Sequence, residues 1–485
     1  MSALDDIRQE RVKKIDALKK AGIDPYPAES QRTHEIKTVI DSFETLEKDS
    51  TEITIAGRIM SIRGQGGILF VDIFDGTGRL QTVVKKDEMD EKVFSSFVEL
   101  VNVSDFIEFS GTLFVTKRGE QSLLATQWRM LAKSLMPVPD EWFGIKDEDE
   151  RYRKRYLDLL LNDEYRLLFQ KKATFWNAMR IFMIERGFLE VETPTLETTT
   201  GGAEARPFAT HHNDFDIDVY LRISVGELWQ KRLMAAGFPK TFEIGRVYRN
   251  EGTSPEHLQE FTNLEFYAAY MDYRQGIKLT EELIKEAAQK TFGTLSFSSK
   301  GFNFNLEGEW PIIEYVPTVF KMTGIDVLSA SEKQLQEKLR ELKVEYIGKG
   351  KERMIDSLWK YCRKQISGPA WLIDPPKVVS PLAKGKPDNK DLVERVQLVL
   401  AGAEMTNGYS ELNDAADQRE RFIAQQKLIE SGDDEAMMPD WEFVEMLEYG
   451  MPPTFGFGCG ERLFATLAGV SIREAQLFPL MRPKE

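Results

Sequence analysis

Cysteine and histidine are scarce in this chain, and their scarcity argues against several kinds of site. The only cysteines, Cys362 and Cys459, lie far apart and form no CxxC pair. We therefore expect neither a disulfide framework nor a zinc site held by thiolates, and two isolated thiols suit a reducing cytosol. The four histidines are His34, His211, His212 and His257. The adjacent pair diverges on regular structure, so a histidine-based metal centre is not expected either.

Long apolar runs and an excess of positive charge are also missing. No run approaches the roughly 20 residues that span a bilayer, and the N-terminus MSALDDIRQERVKK lacks a signal-peptide core. We therefore expect a cytoplasmic protein with no membrane partner. The formal net charge is -15. Because phosphate binding needs only a local basic surface, such as RYRKRY at 151–156, this charge predicts weak non-specific RNA binding rather than none.

The common nucleotide-binding signatures are absent as well. The chain has no GxxxxGK[ST], and no GxGxxG in a strand–helix unit with an acidic residue downstream. A nucleotide would have to be held in another way. The chain does have length, since 485 residues exceed the size at which one core stops growing. Two or more domains are therefore expected.

Residues 1–50 are predicted to form a helical extension. An amphipathic helix is expected over 3–22, and GIDPYP stops it. Its apolar stripe consists of Leu4, Ile7, Val12, Ile15 and Leu18. Two interpretations stay open, namely a solvated helix packed loosely on the body and a helix whose lysine-rich face touches RNA.

Short alternating strands fill residues 51–136. Five of them, from ITIAGRIMSI to SLLATQWRMLA, are separated by the turn signals GQGG, DGTG and KRGE. This pattern predicts a small antiparallel barrel, with the OB-fold as the leading candidate. Such barrels bind single-stranded nucleic acid by stacking bases on strand aromatics beside basic groups. Arg63, Phe70 and Gln81 are the candidates for that face, although a phenylalanine in a strand is more often part of the core.

A proline-bearing, charged stretch at 137–155 is predicted to be a linker, and 156–485 a second domain. Strands and helices do not alternate regularly in this domain, which favours an antiparallel sheet flanked by helices over a doubly wound parallel sheet. A lysine- and glutamate-rich helical insertion is expected around 330–366. The predicted fold class is therefore α+β, with an N-terminal five-stranded barrel and a large antiparallel domain.

Three segments of the second domain carry information through their order along the chain. They are GFLEVETPTL (187–196), FEIGRVYRNEG (242–252) with EHLQEFTNLEFYAAY (256–270), and GFGCGERLFATLAG (456–469). Each alone is weak, being a helix–strand with a proline, a surface turn or a glycine-rich turn. Together they resemble the three signature motifs of class II aminoacyl-tRNA synthetases. The resemblance implies an anticodon-binding OB-fold, a homodimer that meets at the first motif, and ATP-dependent activation of an amino acid.

The second and third motifs imply a nucleotide site. Adenylate formation places charge on phosphate oxygens, which a fixed guanidinium can stabilise. By the resemblance, Arg249 takes that role and Arg462 grips the terminal phosphate. The resemblance also gives Glu251 and His257 contacts on the adenine and phosphate side, and Phe261 a stacking contact with the base.

Two further segments, RYRKRYLDLL (151–160) and AGAEMTNGYSELND (401–414), are similar to the lysyl branch of that family. Withdrawing an ammonium from water requires a carboxylate partner. The branch's pattern assigns Glu411 and Tyr267 to the ε-amine of lysine. The remaining assignments are Glu227, Glu265 and Gly202 near the α-amine, Asn407 and Arg249 on the carboxylate, and Tyr409 on the aliphatic stem. A site for aspartate would need a positive group instead.

Magnesium is the cofactor that the resemblance implies, with Glu404 and Glu411 as candidate ligands. Oxygen ligands suit this ion. The family's second metal glutamate is replaced here by Gln397, which offers a carbonyl oxygen but no charge. Further departures from the family are Glu256, Leu258 and Gln259 in the second-motif loop and Ala403 before Glu404.

The function implied is ATP-dependent activation of L-lysine to lysyl-adenylate, followed by transfer to the 3′ end of tRNA(Lys). Arg63, Phe70 and Gln81 then become candidates for contacting a U-rich anticodon. Three alternatives stay open. They are an aspartyl- or asparaginyl-type synthetase, a lysyl-type ligase that modifies a protein, and an inactive RNA-binding relative. The last would be expected to lack Arg249 or Arg462.

Overall fold

The architecture is that of a computed structural model, which describes residues 3–139, 145–202, 205–252, 257–346, 350–380, 382–430 and 437–484. The chain divides into two units, Met1–Lys146 and Asp147–Glu485. The division falls within the 137–155 stretch. The helices of the described residues include none long and apolar enough to cross a membrane.

The first unit is built around a closed barrel. Its elements are α1 (Ala3–Lys20), α2 (Ile36–Asp41), α3 (Phe43–Lys48), β1 (Ile53–Gln65), β2 (Ile68–Phe74), β3 (Arg79–Lys85), a 3-10 turn (Lys86–Glu88), α4 (Glu91–Leu100), β4 (Phe106–Val115) and β5 (Gln121–Ala132). The strand order is β1-β2-β3-β5-β4, and only the β3–β5 pair is parallel. Alternate side chains such as Val71 and Phe109 fill the interior. The predicted five-stranded barrel is confirmed.

Helix α1 lies within the predicted span of 3–22, and most of its apolar stripe is not buried. Leu18 is fully buried, but Leu4, Ile7 and Val12 are exposed. The helix is fastened instead by a polar side chain, because the Arg11 guanidinium donates to the backbone oxygens of Val103, Ser134 and Met136. A buried arginine that satisfies several carbonyl groups therefore holds the helix in place.

The second unit contains the remaining elements. Its helices are α5 (Glu148–Arg153), α6 (Arg155–Leu161), α7 (Asp163–Glu185), α8 (Glu227–Ala235), α9 (Tyr273–Phe292), α10 (Tyr315–Thr323), α11 (Glu332–Glu341), α12 (Lys351–Arg363), α13 (Ala415–Glu430), α14 (Trp441–Tyr449) and α15 (Glu461–Ala468), with a 3-10 turn at Lys377–Val379. Its strands are β6 (Leu189–Glu190), β7 (Leu196–Glu197), β8 (Ala209–His212), β9 (Ile217–Leu221), β10 (Lys240–Tyr248), β11 (Glu260–Ala269), β12 (Ser296–Ser299), β13 (Phe302–Asn305), β14 (Ile312–Glu314), β15 (Ala370–Ile373), β16 (Arg395–Leu400), β17 (Ala403–Glu404), β18 (Thr406–Ser410) and β19 (Thr454–Gly460).

One large sheet organises this unit. The strand order is β14-β15-β16-β18-β19-β11-β10-β6, with β17 paired to β16. The central pairs are antiparallel, and only the two edge pairs, β14–β15 and β10–β6, are parallel. The predicted α+β class with an antiparallel sheet is therefore confirmed.

Three apolar clusters pack against this sheet. The largest lies under α7, α9 and α15 and includes Phe182, Phe266 and Phe464. A second cluster joins α8, α13 and α14 to Tyr267 and Tyr409. The third lies beneath α10, α11 and α12, in and beside the predicted insertion. The last two flank the same sheet at different places, and each supports a different part of the site described next.

Candidate active site

The site lies on one face of the large sheet because side chains alternate along its strands. On β11, Leu264, Phe266 and Ala268 face the core, so Asn263, Glu265 and Tyr267 face the other way. On β19, Phe455, Phe457 and Cys459 are core, and the residues opposite those polar groups are glycines. The pairing partners are Gly460, Gly458 and Gly456. The glycines leave open the space into which the polar side chains project.

A cavity of about 760 Å³ opens over this face. It is lined by every site residue that the sequence predicts in the second unit. These are Gly202, Glu227, Arg249, Glu251, His257, Phe261, Glu265, Tyr267, Glu404, Asn407, Tyr409, Glu411 and Arg462. Residues separated by up to 260 positions in the chain are thus brought to one place, although their individual roles stay predictions.

One wall of the cavity holds two buried glutamates. Glu265 accepts hydrogen bonds from the backbone N–H of Val225 and the amide of Asn263, both at 2.8 Å, and from the Tyr267 hydroxyl at 3.3 Å. Burial raises the pKa of Glu265 to about 7. Glu227 begins α8 beside Gly202, where a Cβ would lie 2.6 Å from a Glu227 carboxylate oxygen. Glycine at 202 therefore allows the chain to approach the carboxylate closely.

A third glutamate of the cavity, Glu411, lies close to Glu227, and the buried Lys231 lies between the two carboxylates. Glu411 follows β18, and its carboxylate lies 2.6 Å from the ammonium of Lys231. The same ammonium lies 2.8 Å from Glu227. The Tyr409 hydroxyl donates to that same carboxylate. Burial raises the pKa of Glu411 above its usual range, and the Lys231 ammonium opposes that rise.

The predicted nucleotide side is formed by the turn after β10 and by α15. The Arg249 guanidinium lies 5.4 Å from the centre of the Phe261 ring and donates to the backbone oxygen of Ile223. Gln259 closes the turn, since its backbone oxygen accepts from the N–H of Arg249 at 2.8 Å. Arg462 donates to the backbone oxygen of Glu404 at 3.3 Å. Glu256, the first departure in this loop, lies outside the described residues.

The carboxylate of Glu404 is held by the insertion. It accepts from the indole N–H of Trp359 and, at 3.4 Å, from the guanidinium of Arg363, both on α12. It does not lie near Glu411, because the intervening strand residues span roughly 20 Å at about 3.3 Å each. Magnesium–oxygen bonds are only about 2.1 Å long, so one ion cannot reach both carboxylates. The assignment of either carboxylate to magnesium stays a prediction.

Several residues of the site were not predicted. Lys360, Arg363 and Lys364 place positive charge on the cavity wall from the end of α12. Arg395 lines the cavity and donates to the Asn407 side-chain oxygen at 2.7 Å. The lysine-rich composition of 330–366 was the only signal for the first group. Arg395 stands at the start of β16, where nothing in the sequence distinguishes it from a surface arginine.

The barrel residues predicted for nucleic acid share one face of the first unit. Arg63 on β1 pairs directly with Phe70 on β2, and Gln81 on β3 pairs with Asp72. Phe70 is half-buried and stands outside the barrel core, whereas its neighbour Val71 is fully buried. Gln81 donates to the Ser122 hydroxyl at 2.8 Å. An aromatic ring next to an exposed arginine is the arrangement that base stacking uses.

Comparison with known proteins gives the same division. The family described as "tRNA synthetases class II (D, K and N)" matches residues 147–482, and "OB-fold nucleic acid binding domain" matches residues 53–131. A lysine–tRNA ligase of Roseiflexus castenholzii is 42% identical, with 99% of this chain and 100% of the relative covered. Those of Thermotoga maritima and Carboxydothermus hydrogenoformans are each 41% identical, covering 99% of this chain and 97% and 99% of the relatives. The chain belongs to the class II aminoacyl-tRNA synthetases, in the family of the lysine–tRNA ligases.

Proposed function

We propose that this protein activates L-lysine with ATP and transfers it to the 3′ end of tRNA(Lys). The observation that carries the proposal is the set of three buried carboxylates, Glu227, Glu265 and Glu411, around one cavity. A buried carboxylate is costly unless a cation meets it. Lysine brings two ammonium groups, whereas aspartate or asparagine brings one.

Lysine fits the cavity in one direction. Its α-ammonium lies between Glu227 and Glu265, beside Gly202, and its ε-ammonium reaches Glu411 and Tyr267. Asn407, held by Arg395, and Arg249 meet the carboxylate of the substrate. The ring of Tyr409, which lines the cavity, packs on the aliphatic stem.

The chemistry needs no nucleophilic side chain from the protein. The lysine carboxylate attacks the α-phosphorus of ATP, an anhydride bond breaks, and pyrophosphate leaves. Arg249 stabilises charge on the α-phosphate oxygens, and Arg462 with the α12 cations meets the outgoing phosphates. Phe261 stacks on the adenine, with Glu251 and His257 at its side. A ribose hydroxyl of the tRNA then attacks the adenylate carbonyl and AMP leaves. Fixed positions and electrostatics therefore account for the rate.

We propose that magnesium binds at the part of the cavity wall beside Arg462. Glu404 offers one carboxylate and Gln397 one amide oxygen to the same cavity. Magnesium commonly takes one or two carboxylates and completes its shell with phosphates and water, so this donor set fits. When bound, the ion would offset charge on the ATP phosphates. Among the described residues, no cluster of three or more His, Cys, Asp or Glu side chains could hold a metal without substrate.

The barrel contributes tRNA recognition in this proposal. Arg63, Phe70 and Gln81 form the surface that meets the anticodon. We further propose a cytoplasmic homodimer that meets along α7 and β6, where Leu167, Ile184 and Leu189 are about half exposed. Light scattering should then give twice the 55.7 kDa mass of one chain. A monomer at micromolar concentration would contradict the dimer.

The decisive experiment is amino-acid-dependent ATP–pyrophosphate exchange. Lysine should support exchange, and aspartate and asparagine should not. Arg249→Ala should lower exchange by at least about 10²-fold, since a lost charge-stabilising donor typically has an effect of that size. Exchange with another amino acid but not lysine would refute the substrate. No exchange and no lysine binding by calorimetry would favour an inactive RNA-binding relative.

A further inference from the structure

Lys231 lies behind the substrate cavity. It stands one turn after Glu227 on α8, and its side chain is 2% exposed. Glu227 and Glu411 form part of the cavity wall, and Lys231 touches both from the far side. These two carboxylates come from elements more than 180 residues apart. One ammonium group therefore bridges two carboxylates of the site that come from distant parts of the chain.

The environment keeps Lys231 charged. Burial lowers its pKa, but Glu227 and Glu411 outweigh that effect and hold the pKa above its ordinary value. The rings of Tyr267, Tyr409 and Phe443 surround the ammonium, with centres at 6.0, 5.5 and 5.7 Å. Ring faces at such distances attract a cation. Within the described part of the chain, no second cation pairs with Glu411.

The charges of the three cavity glutamates and Lys231 then match those of the substrate. In their ionised forms Glu227, Glu265 and Glu411 carry three negative charges, and Lys231 cancels one of them. The two that remain equal the two ammonium groups of lysine, while Arg249 faces the single carboxylate. Without Lys231 one buried carboxylate would have no cation, and it would take up a proton instead.

We propose that Lys231 is a positioning residue that sets the selectivity of this cavity for an amino acid with two ammonium groups. It fixes the distance between Glu227 and Glu411 and leaves the three glutamates, when ionised, with two uncompensated negative charges. It acts through these carboxylates and does not touch the substrate. The inference rests on the proposed lysine-activating function.

The test is Lys231→Met, which keeps the length of the side chain and removes its charge. Removal of a cation within 4 Å raises a carboxylate pKa by about one to three units. In ATP–pyrophosphate exchange at pH 7, we expect the KM for lysine to rise at least about tenfold, which one such unit produces. The KM for ATP should change less than about twofold. The acid limb of kcat/KM for lysine should move upward by about one pH unit or more.

Lys133→Met is the matched control. Lys133 is also a fully buried lysine, bonded to Asp105 at 2.7 Å, but it belongs to the barrel. Exchange requires no tRNA, so the KM for lysine should stay at the wild-type value. Circular dichroism should show that both variants fold. A comparable rise of the KM for lysine in Lys133→Met would refute a specific role of Lys231.

Lys231→Arg separates charge from structure. It retains the cation, so the acid limb should stay at the wild-type pH, with a modest rise in KM. This variant decides the question where Lys231→Met does not fold. A shifted limb in Lys231→Arg, or an unshifted limb and wild-type KM in Lys231→Met, overturns the inference. If Lys231→Met raises the KM for lysine and the KM for ATP alike and leaves the acid limb unshifted, the role of Lys231 is merely structural and the inference also fails. Wild-type protein without lysine-dependent exchange overturns the proposed function itself.

Discussion

Replacing Gly456 with alanine tests how closely the walls of the cavity approach each other. Gly456 on β19 stands between Tyr267 on β11 and Tyr409 on β18. An added Cβ would lie 2.6 Å from a ring carbon of Tyr267 and closer still to an oxygen of Glu411. Since real Cβ atoms do not approach so closely, one of these two side chains has to move.

The expected loss follows from the cost of overpacking, which is about 1–3 kcal/mol. If that energy falls on the lysine-bound geometry, kcat/KM for lysine drops roughly 5- to 150-fold in ATP–pyrophosphate exchange. The KM for ATP should change little, because the clash lies at the ε-amine end.

Two other glycine-to-alanine variants serve as controls for Gly456→Ala. At Gly458, two residues along the same strand, the nearest atom to an added Cβ is at 3.4 Å, so Gly458→Ala should have a smaller effect. At Gly385, no atom of the described residues lies within 4 Å of the added Cβ, and Gly385→Ala should behave as wild type. A KM for lysine within twofold of wild type in Gly456→Ala would refute the proposed packing around Glu411.

Three further predictions concern pH, the metal and tRNA. Burial raises the pKa of Glu265 to about 7, and only the ionised carboxylate attracts an ammonium. The kcat/KM for lysine should therefore rise between pH 6 and 8, and a flat pH profile would contradict this prediction. Trp359→Phe removes the indole donor to Glu404. A lost hydrogen bond costs about 1 kcal/mol, so the magnesium concentration for half-maximal exchange should rise about three- to tenfold while the KM for lysine stays unchanged. An unaltered magnesium titration would refute this link. Phe70→Ala removes about 1–3 kcal/mol of base stacking. It should raise the KM for tRNA(Lys) in aminoacylation and leave ATP–pyrophosphate exchange unchanged. Equal losses in both assays would count against an anticodon role.

Periodicity predicted the barrel, and the resemblance to a known family predicted part of the cavity lining, though not Lys360, Arg363, Lys364 and Arg395. The alternation NLEFY at 263–267 already separates Glu265 and Tyr267 from core residues such as Phe266. By contrast, the role of Lys231 depends on a contact with Glu411, and a lysine on a helix is more often solvated.

Two further features could not be predicted from the sequence, for similar physical reasons. Leu4, Ile7 and Val12 follow a helical period, but periodicity cannot tell that Arg11 fastens the helix instead. Glu404 and Glu411 are close in sequence, yet an extended strand between them carries them apart. Sequence distance translates into spatial distance only once the local conformation is known.

The separate apolar clusters beside the sheet bear on how the enzyme can change. Tyr267 and Tyr409, which we propose contact lysine, belong to the cluster of α8, α13 and α14, and Trp359, which holds Glu404, belongs to that of α10, α11 and α12. Packing defects in distant clusters usually add independently. Substitutions in one cluster can therefore change amino-acid preference without changing nucleotide binding, and substitutions in the other can do the reverse.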